Sequence, residues 1–233
     1  MKGLKFMAAG LAALMLTASC GTATKNGMLI GGGGGAAVGA LVGHLIGKNA
    51  TGRLIGTAAG AAIGTTAGYL IGKKMDKAKA AAEQVKNAQV QTIKDVNGND
   101  AIKVSFDNGI LFNVGKYALQ AGAQSSLKQF ADKVLNVYTD CDVAIYGFAS
   151  SDGSDATNLT LSKNRANAVS TYLKGSCAVN ANQIKDVRGF GEDPNYLVMN
   201  QDGTENVEAS RRVEVLLYAS DAMIKAAQDG TLK

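Results

Sequence analysis

Histidine, tryptophan, proline and cysteine are almost missing from this chain. Its 233 residues include one His, no Trp, one Pro and three Cys. A metal centre needs His and Cys at ligand spacing, and no such cluster occurs. The single histidine, His44, lies in a glycine-rich stretch, so a histidine-based triad has no base in the remainder of the chain. Carboxylates are plentiful, but nothing places a pair across a scissile bond. We therefore expect no catalytic residue, no metal and no cofactor. The net charge of +5 does not point to nucleic acid, because no basic stripe is interleaved with aromatics. Residues 1–99 carry 11 Lys or Arg against 3 Asp or Glu, whereas residues 100–233 carry 13 against 16. The excess of positive charge is thus confined to the first part, where it suits anionic lipid headgroups.

Glycine is abundant instead, with 29 residues. Gly27, Gly31, Gly35, Gly39, Gly43 and Gly47 recur every four residues, and so do Gly52, Gly56, Gly60, Gly64, Gly68 and Gly72. The two series repeat with an offset of 25: Gly35-Ala36-Ala37-Val38-Gly39 matches Gly60-Ala61-Ala62-Ile63-Gly64. In water such density would weaken a helix by about 1 kcal/mol per glycine relative to alanine. In an apolar setting the same glycines let two backbones approach closely. Flexible linkers show no such phase. Residues 27–74 therefore read as a glycine-zipper helical hairpin, each arm of about 20 residues long enough to span a bilayer core. Lys48 and Arg53 flank the turn, and Lys25, Lys73 and Lys74 lie at the open end. His44 falls mid-arm, either satisfied within the helix pair or marking a pore.

Before this hairpin stands a secretory signal, 1–19: a cationic start, an apolar run and then small residues. Leu16-Thr17-Ala18-Ser19-Cys20-Gly21 resembles a lipobox, with Cys20 as the lipid-bearing first residue and 20–26 as a lipidated N-terminus. An ordinary signal with an incidental cysteine is the alternative. Gly21 resembles the pattern of lipoproteins sent to an outer membrane.

After the hairpin, 75–100 reads as a spacer, an exposed helix to about 87 and then a β-hairpin turning at Asn97-Gly98. From residue 101 strands and helices alternate. Strands are expected at 101–106, 142–148, 184–189 and 212–218, and helices at 125–138, 158–174 and, more weakly, 221–228. The whole reads as α+β, one core in an α/β sandwich. If 158–174 is helical, Leu161, Arg165, Ala168, Val169 and Tyr172 share one stripe. An arginine there is not placed for solvation. Its guanidinium stays charged and is costly to bury without a carboxylate or several acceptors, so the fold or a ligand must supply a partner.

Gly109-Ile110-Leu111-Phe112-Asn113, Asn158-Leu159-Thr160-Leu161-Ser162-Lys163-Asn164-Arg165-Ala166 and Ser210-Arg211-Arg212-Val213-Glu214-Val215 together resemble the OmpA-like peptidoglycan-binding domain, over residues 101–220. The resemblance implies a mixed sheet with helices and a site for the peptide stem of peptidoglycan. In that family an aspartate ahead of the central helix and the helix arginine hold the charged end of diaminopimelate, carboxylate against guanidinium and ammonium against carboxylate. Arg165 matches the arginine. Where the family has Gly-(Tyr or His)-Thr-Asp, this chain has Gly147-Phe148-Ala149-Ser150, so Ser150 stands at the acid position. Asp152 or Asp155 is near enough in sequence to stand in, although Asp155 equally suits a helix cap. Three readings follow: Arg165 holds a ligand carboxylate with Asp152 restoring the lost charge, it holds a ligand without the ammonium contact, or it pairs internally with Asp152 or Asp155. Asn113, Asn158, Arg211 and Arg212 are further candidates, of which Arg211 and Arg212 cannot both face one cleft.

Cys141 and Cys177 are a candidate disulfide, if the central helix returns its far end to the start of the preceding strand. The bridge would close a loop of about 35 residues; two buried thiols are the alternative. The function this implies is an outer-membrane lipoprotein tethering envelope to peptidoglycan, with the membrane and possible zipper-mediated homo-oligomers as further partners. The competing reading is a membrane-active zipper oligomer or pore localised by its C-terminal domain.

Overall fold

The structure, a computed structural model, describes residues 65–95 and 98–232. The signal, Cys20, the first zipper arm and His44 lie outside the described residues. The first helix, α1 (Thr65–Ala82), buries Ala67, Ile71, Met75, Ala78 and Ala82, spaced four, four, three and four residues apart. That periodicity puts all five on one face, and full burial of Ile71 and Met75 stabilises by about 1.5–3 kcal/mol each.

Strand β1 (Ala88–Lys94) then pairs antiparallel with β2 (Asp100–Asp107). Lys94 registers with Asp100, so the hairpin loop is longer than a two-residue turn. The Asp95 carboxylate closes it by accepting from the backbone N–H and side-chain amide of Asn99, at 2.8 and 3.1 Å. Gly98 supplies the left-handed φ of 80° that the turn needs.

The remaining elements are α2 (Asn108–Leu111), α3 (Ala121–Phe130) continued by a π-helical turn (Ala131–Leu135), β3 (Cys141–Phe148), α4 (Asp155–Gly175) and a 3₁₀ turn (Ala181–Gln183). They are followed by β4 (Ile184–Gly189), α5 (Val207–Ser210), β5 (Arg212–Ala219) and α6 (Asp221–Gln228). The sheet runs β1-β2-β5-β3-β4, parallel only between β3 and β4. One face carries the main core, in which Val213, Val215 and Leu217 of β5 meet Phe130, Val169 and Met75. The opposite face holds a smaller cluster of Ala144, Tyr146, Phe148, Leu216 and Tyr218, with Phe190 and Tyr196 against it. The α+β mixed sheet expected from the sequence is therefore the fold observed.

Two expectations are corrected. Residues 75–100 are not a spacer, because α1 and β1 build the same core and sheet as everything after residue 101. Lys74, expected at the membrane side, instead reaches Asp140 at 2.5 Å. The apolar stripe Ile71, Met75, Ala78 and Ala82 runs across the end of the glycine ladder, so the last turns of the second arm dock onto the sheet.

The disulfide is also absent. Cys141 and Cys177 are both free and buried. Cys141, at the first position of β3, places its sulfur 3.9 Å from that of Met223 on α6, and burial pushes its thiol up to about 12. Cys177 follows α4 and sits beside Tyr172. The two strand and helix ends aim their side chains at different neighbours.

Helix α4 lies unusually close to the sheet. Gly147 and Gly189 are register partners on β3 and β4. A Cβ on Gly147 would fall 2.2 Å from the Ser162 carbonyl oxygen, and one on Gly189 2.2 Å from the Lys163 nitrogen. Only glycine lets the backbone of α4 settle into this saddle. Ser162, fully buried there, accepts from the Gly191 N–H at 2.9 Å.

Candidate functional site

The saddle fixes where the central helix presents its buried polar residues. Asn158, Ser162 and Arg165 are all on its inner face and are 5 %, 0 % and 2 % exposed. The helix begins at Asp155, three residues earlier than its periodicity predicts, because Ser154 takes the cap position and accepts from the Thr157 N–H. Asp155 is thus the first helical residue and not the cap.

Arg165 lies where three strand ends converge. Beyond β2, Phe112 offers its ring 5.4 Å from the guanidinium carbon, and the Lys116 carbonyl accepts from Nε at 3.0 Å. Beyond β3 comes Ser150, 2 % exposed. Ahead of β5 comes Arg211: Phe148 registers with Arg212, so the next step of the ladder sets Arg211 opposite Ala149. Burial, with the nearby Arg211 charge second, lowers the Arg165 pKa to about 10, which leaves it charged at neutral pH. No carboxylate among the described residues pairs with Arg165 or Arg211. Arg211 makes only a bond from Nε to the Val207 carbonyl, at 3.2 Å. Two guanidiniums, near enough for the charge of one to weaken that of the other, have no carboxylate partner among the described residues, an arrangement that suits an anion.

Arg212 points the other way. Its Nε is 2.8 Å from Glu214, its Nη1 donates to the Tyr196 and Ser210 carbonyls, and its guanidinium stacks 4.2 Å above Phe148. Burial alone would raise the Glu214 pKa, but Arg212 and then Lys103 overcome it and hold the carboxyl below its usual range. The alternation across the start of β5 therefore assigns Arg211 to the helix face and Arg212 to the opposite one.

The acidic residues form a rim on the loops. Ser150 donates from Oγ to Asp152 at 3.3 Å, and Asp152 is exposed. Asn158 donates its side-chain amide to the Ser150 and Asp152 carbonyls at 3.1 and 2.8 Å and to the Glu192 carboxylate. Ser151 donates to Glu205 from both its N–H and its hydroxyl. A hydrogen bond with Asp155 is the first cause of a raised Glu192 pKa, against the opposing bond from Asn158. None of Asp152, Asp155, Glu192 and Glu205 has a cationic partner among the described residues. The internal pairing of Arg165 with Asp152 or Asp155 is not what the fold builds.

Of the residues singled out from sequence, Arg165 and Arg211 lie near enough for one charge to act on the other, while Ser150 and Asp152 are hydrogen-bonded to each other on the loop after β3. Asn158 spends its amide on the 150–152 loop and on Glu192, so it positions the loop. Asn113 is exposed on the 112–120 segment that supplies Phe112 and Lys116. Glu192 and Glu205 were not anticipated, since they lie on an irregular loop with no periodicity. Beside the 112–120 segment a shallow groove of about 620 Å³ runs along α4, lined by Tyr117, Asn164, Asn167, Thr171 and Tyr172 among others.

This sheet, with its helices on one face and its inward arginine on the helix that follows β3, is that of an OmpA-like α+β domain. Residues 111–212 match the model of the OmpA family, and residues 20–79 match that of a glycine zipper. The chain thus carries an OmpA-like domain behind an N-terminal glycine zipper. Among solved structures, a MotB-like protein from Desulfovibrio vulgaris shares 21 % identity, covers 66 % of this chain and 92 % of its own, and has a TM-score of 0.51, a likeness of fold. The cell wall anchor of the T6SS from Pseudomonas aeruginosa shares 19 %, with 63 % and 97 % covered and a TM-score of 0.48. The peptidoglycan-associated lipoprotein from Burkholderia pseudomallei shares 24 %, with 46 % and 87 % covered and a TM-score of 0.38. Comparison with curated proteins gives no match.

Proposed function

We propose that this protein is an outer-membrane lipoprotein, anchored through Cys20, whose OmpA-like domain holds peptidoglycan noncovalently. The observation that carries this reading is the Arg165–Arg211 pair, buried or half-buried, charged and without a carboxylate among the described residues. A stem peptide brings a carboxylate of the required kind. A buried guanidinium gains most from a partner it does not already have, because water has been excluded from it and bidentate geometry is available. Asp152 stands at the rim, two residues after the position of the family acid, where it faces an amino group carried beside that carboxylate. The match of residues 111–212 to the OmpA family supports the same ligand class.

The test is binding of the full chain, in detergent, to purified peptidoglycan sedimented with it. Wild type should cosediment and Arg165→Ala should not. Wild-type protein left wholly in the supernatant would end the proposal. The full chain is used because α1 is part of the core of the folded domain. The pore reading has its own test in dye release from vesicles by the full chain, where an intact barrier over a wide range of protein concentration counts against it.

A further inference from the structure

Helices α1, α3, α4 and α6 all send their buried apolar residues into the core on one face of the sheet. On the opposite face the described hydrophobics packed against the cluster are Phe190 and Tyr196, and they gather at one end, with ring centroids 5.4 and 5.6 Å from that of Phe148. At the other end Ile93, Ala101, Ala144, Leu216 and Tyr218 are nevertheless no more than 3 % exposed. Lys103, the register partner of Leu216, has a side chain only 18 % exposed, where a lysine on an open sheet face is largely solvated. The Tyr218 hydroxyl is buried with no hydrogen-bond partner among the described residues, although a buried tyrosine usually finds one.

Chain length limits what can lie there. Apart from Lys233, the residues outside the described range are 96–97, in the β1–β2 loop, and 1–64. Ala144 is two strands beyond that hairpin, roughly 10 Å at about 4.8 Å per strand, too far for two loop residues held between Asp95 and Gly98. The segment 1–64 joins the fold at the right place. A Cβ on Gly72 would stand 3.2 Å from the Asp100 carboxylate, next to Ala101, and Lys74 meets Asp140, just ahead of β3. β1, which follows α1, starts at the far end, opposite Phe106. α1 therefore enters from the end of the sheet at which the second face lacks a described cover.

We propose that residues 27–64, the glycine ladder ahead of α1, fold back across this end of the second face as a third layer. Shape and charge both favour that occupant. Ala101 and Ala144 are small, and glycines every four residues let a helix backbone come close, as Gly147 and Gly189 admit the backbone of α4 on the first face. Around Tyr218 the carboxylates of Asp142, Asp186 and Asp221 are met by Lys185 and Arg188, three against two. Residues 27–64 bring Lys48 and Arg53 and no Asp or Glu. The contact stands whether or not the Arg165 site takes a stem peptide.

The test is crosslinking of the full chain in detergent with a short amine-reactive reagent, read by mass spectrometry on an equal mixture of isotopically light and heavy protein. Lys48 should link to Lys103 within one chain. If the ladder instead continued α1 as a straight hairpin, Lys48 would stand roughly 36 Å beyond Gly72, out of reach of such a reagent. Absence of the Lys48–Lys103 link overturns the proposal, and a link found only between light and heavy chains overturns it in favour of a second copy. Ala144→Cys, a small change in volume, gives an independent readout. Its thiol should resist maleimide in the folded full chain, above the background of wild type, and adding Gly56→Leu and Gly60→Leu should speed its labelling by about tenfold or more. Labelling at the rate of an exposed thiol before those changes, or a rate unmoved by them, also overturns the proposal.

Discussion

Arg211 and Arg212 are adjacent in the chain and meet opposite conditions. Arg212 is closed in by Glu214, two carbonyls and the face of Phe148, with Lys103 completing the neutralisation of the carboxylate. Arg211 bonds only the Val207 carbonyl and lies near enough to Arg165 to act on its charge, and no carboxylate among the described residues pairs with either. On one face of the sheet charge is spent inside the fold, and on the other it is held available. The same residue type is thus ion-paired or left without a carboxylate among the described residues according to which side of β5 it leaves from, and the ion pairs, more than the sequence motif, distinguish the two.

The comparison is open to attack in order of effect. Arg212→Met should leave Glu214 buried with Lys103 alone, destabilising by about 3–5 kcal/mol in urea unfolding. A change under about 1 kcal/mol would mean that the two arginines do not differ as described. Arg165→Met should do the reverse. Its stability should stay within about 1 kcal/mol of wild type, because a desolvated cation is replaced by an apolar chain of similar reach, while peptidoglycan binding falls by about 2 kcal/mol or more. Arg211→Ala should weaken binding less, by about 1 kcal/mol, since this side chain is only half-buried.

A smaller effect separates the carboxylates of the paired face by pH. Burial, against the nearby Lys185, raises Asp142 to about 6. Between pH of about 4 and 6 the folded chain holds a proton there that the unfolded chain has released, so this group's contribution to stability falls as pH rises through that window. Asp142→Asn should therefore stabilise at pH 8 by on the order of 1 kcal/mol, with the gain gone at pH 4. Glu214 has the opposite sign: its pKa is held down, so its contribution is present above the ordinary glutamate range and is lost as pH falls through the lowered value. Thermal melts of Asp142→Asn and wild type across that range would show a gap that widens with pH; a gap of constant size would refute the assignment.

Much of this was legible before the structure. Periodicity placed Arg165 on an inner helix face, the patterning of strands and helices located the strands along the chain, and the need of a buried guanidinium for a partner marked the candidate site. Four things were hidden, each for a physical reason. Gly68 and Gly72 carry the four-residue phase of the zipper into α1, so the apolar stripe from Ile71 to Ala82 reads as a membrane or spacer helix until the sheet it packs on is known. The parity of Arg211 and Arg212 depends on where β5 starts, and one residue reverses it. Cys141 and Cys177 required a distance, which sequence does not contain. The acids of the rim come from loops whose positions follow from long-range contacts such as Ser151 with Glu205.

The docking of α1 also has a mechanical meaning. Residues 65–79 lie within the glycine-zipper match and inside the helix whose Ile71 and Met75 enter the sheet's core. A pull arriving at Arg165 passes through α4 into β3, across the sheet and into α1 without meeting a flexible joint. Tension applied between Arg165 and the start of α1 would thus be borne in shear by a buried apolar stripe and the Lys74–Asp140 contact.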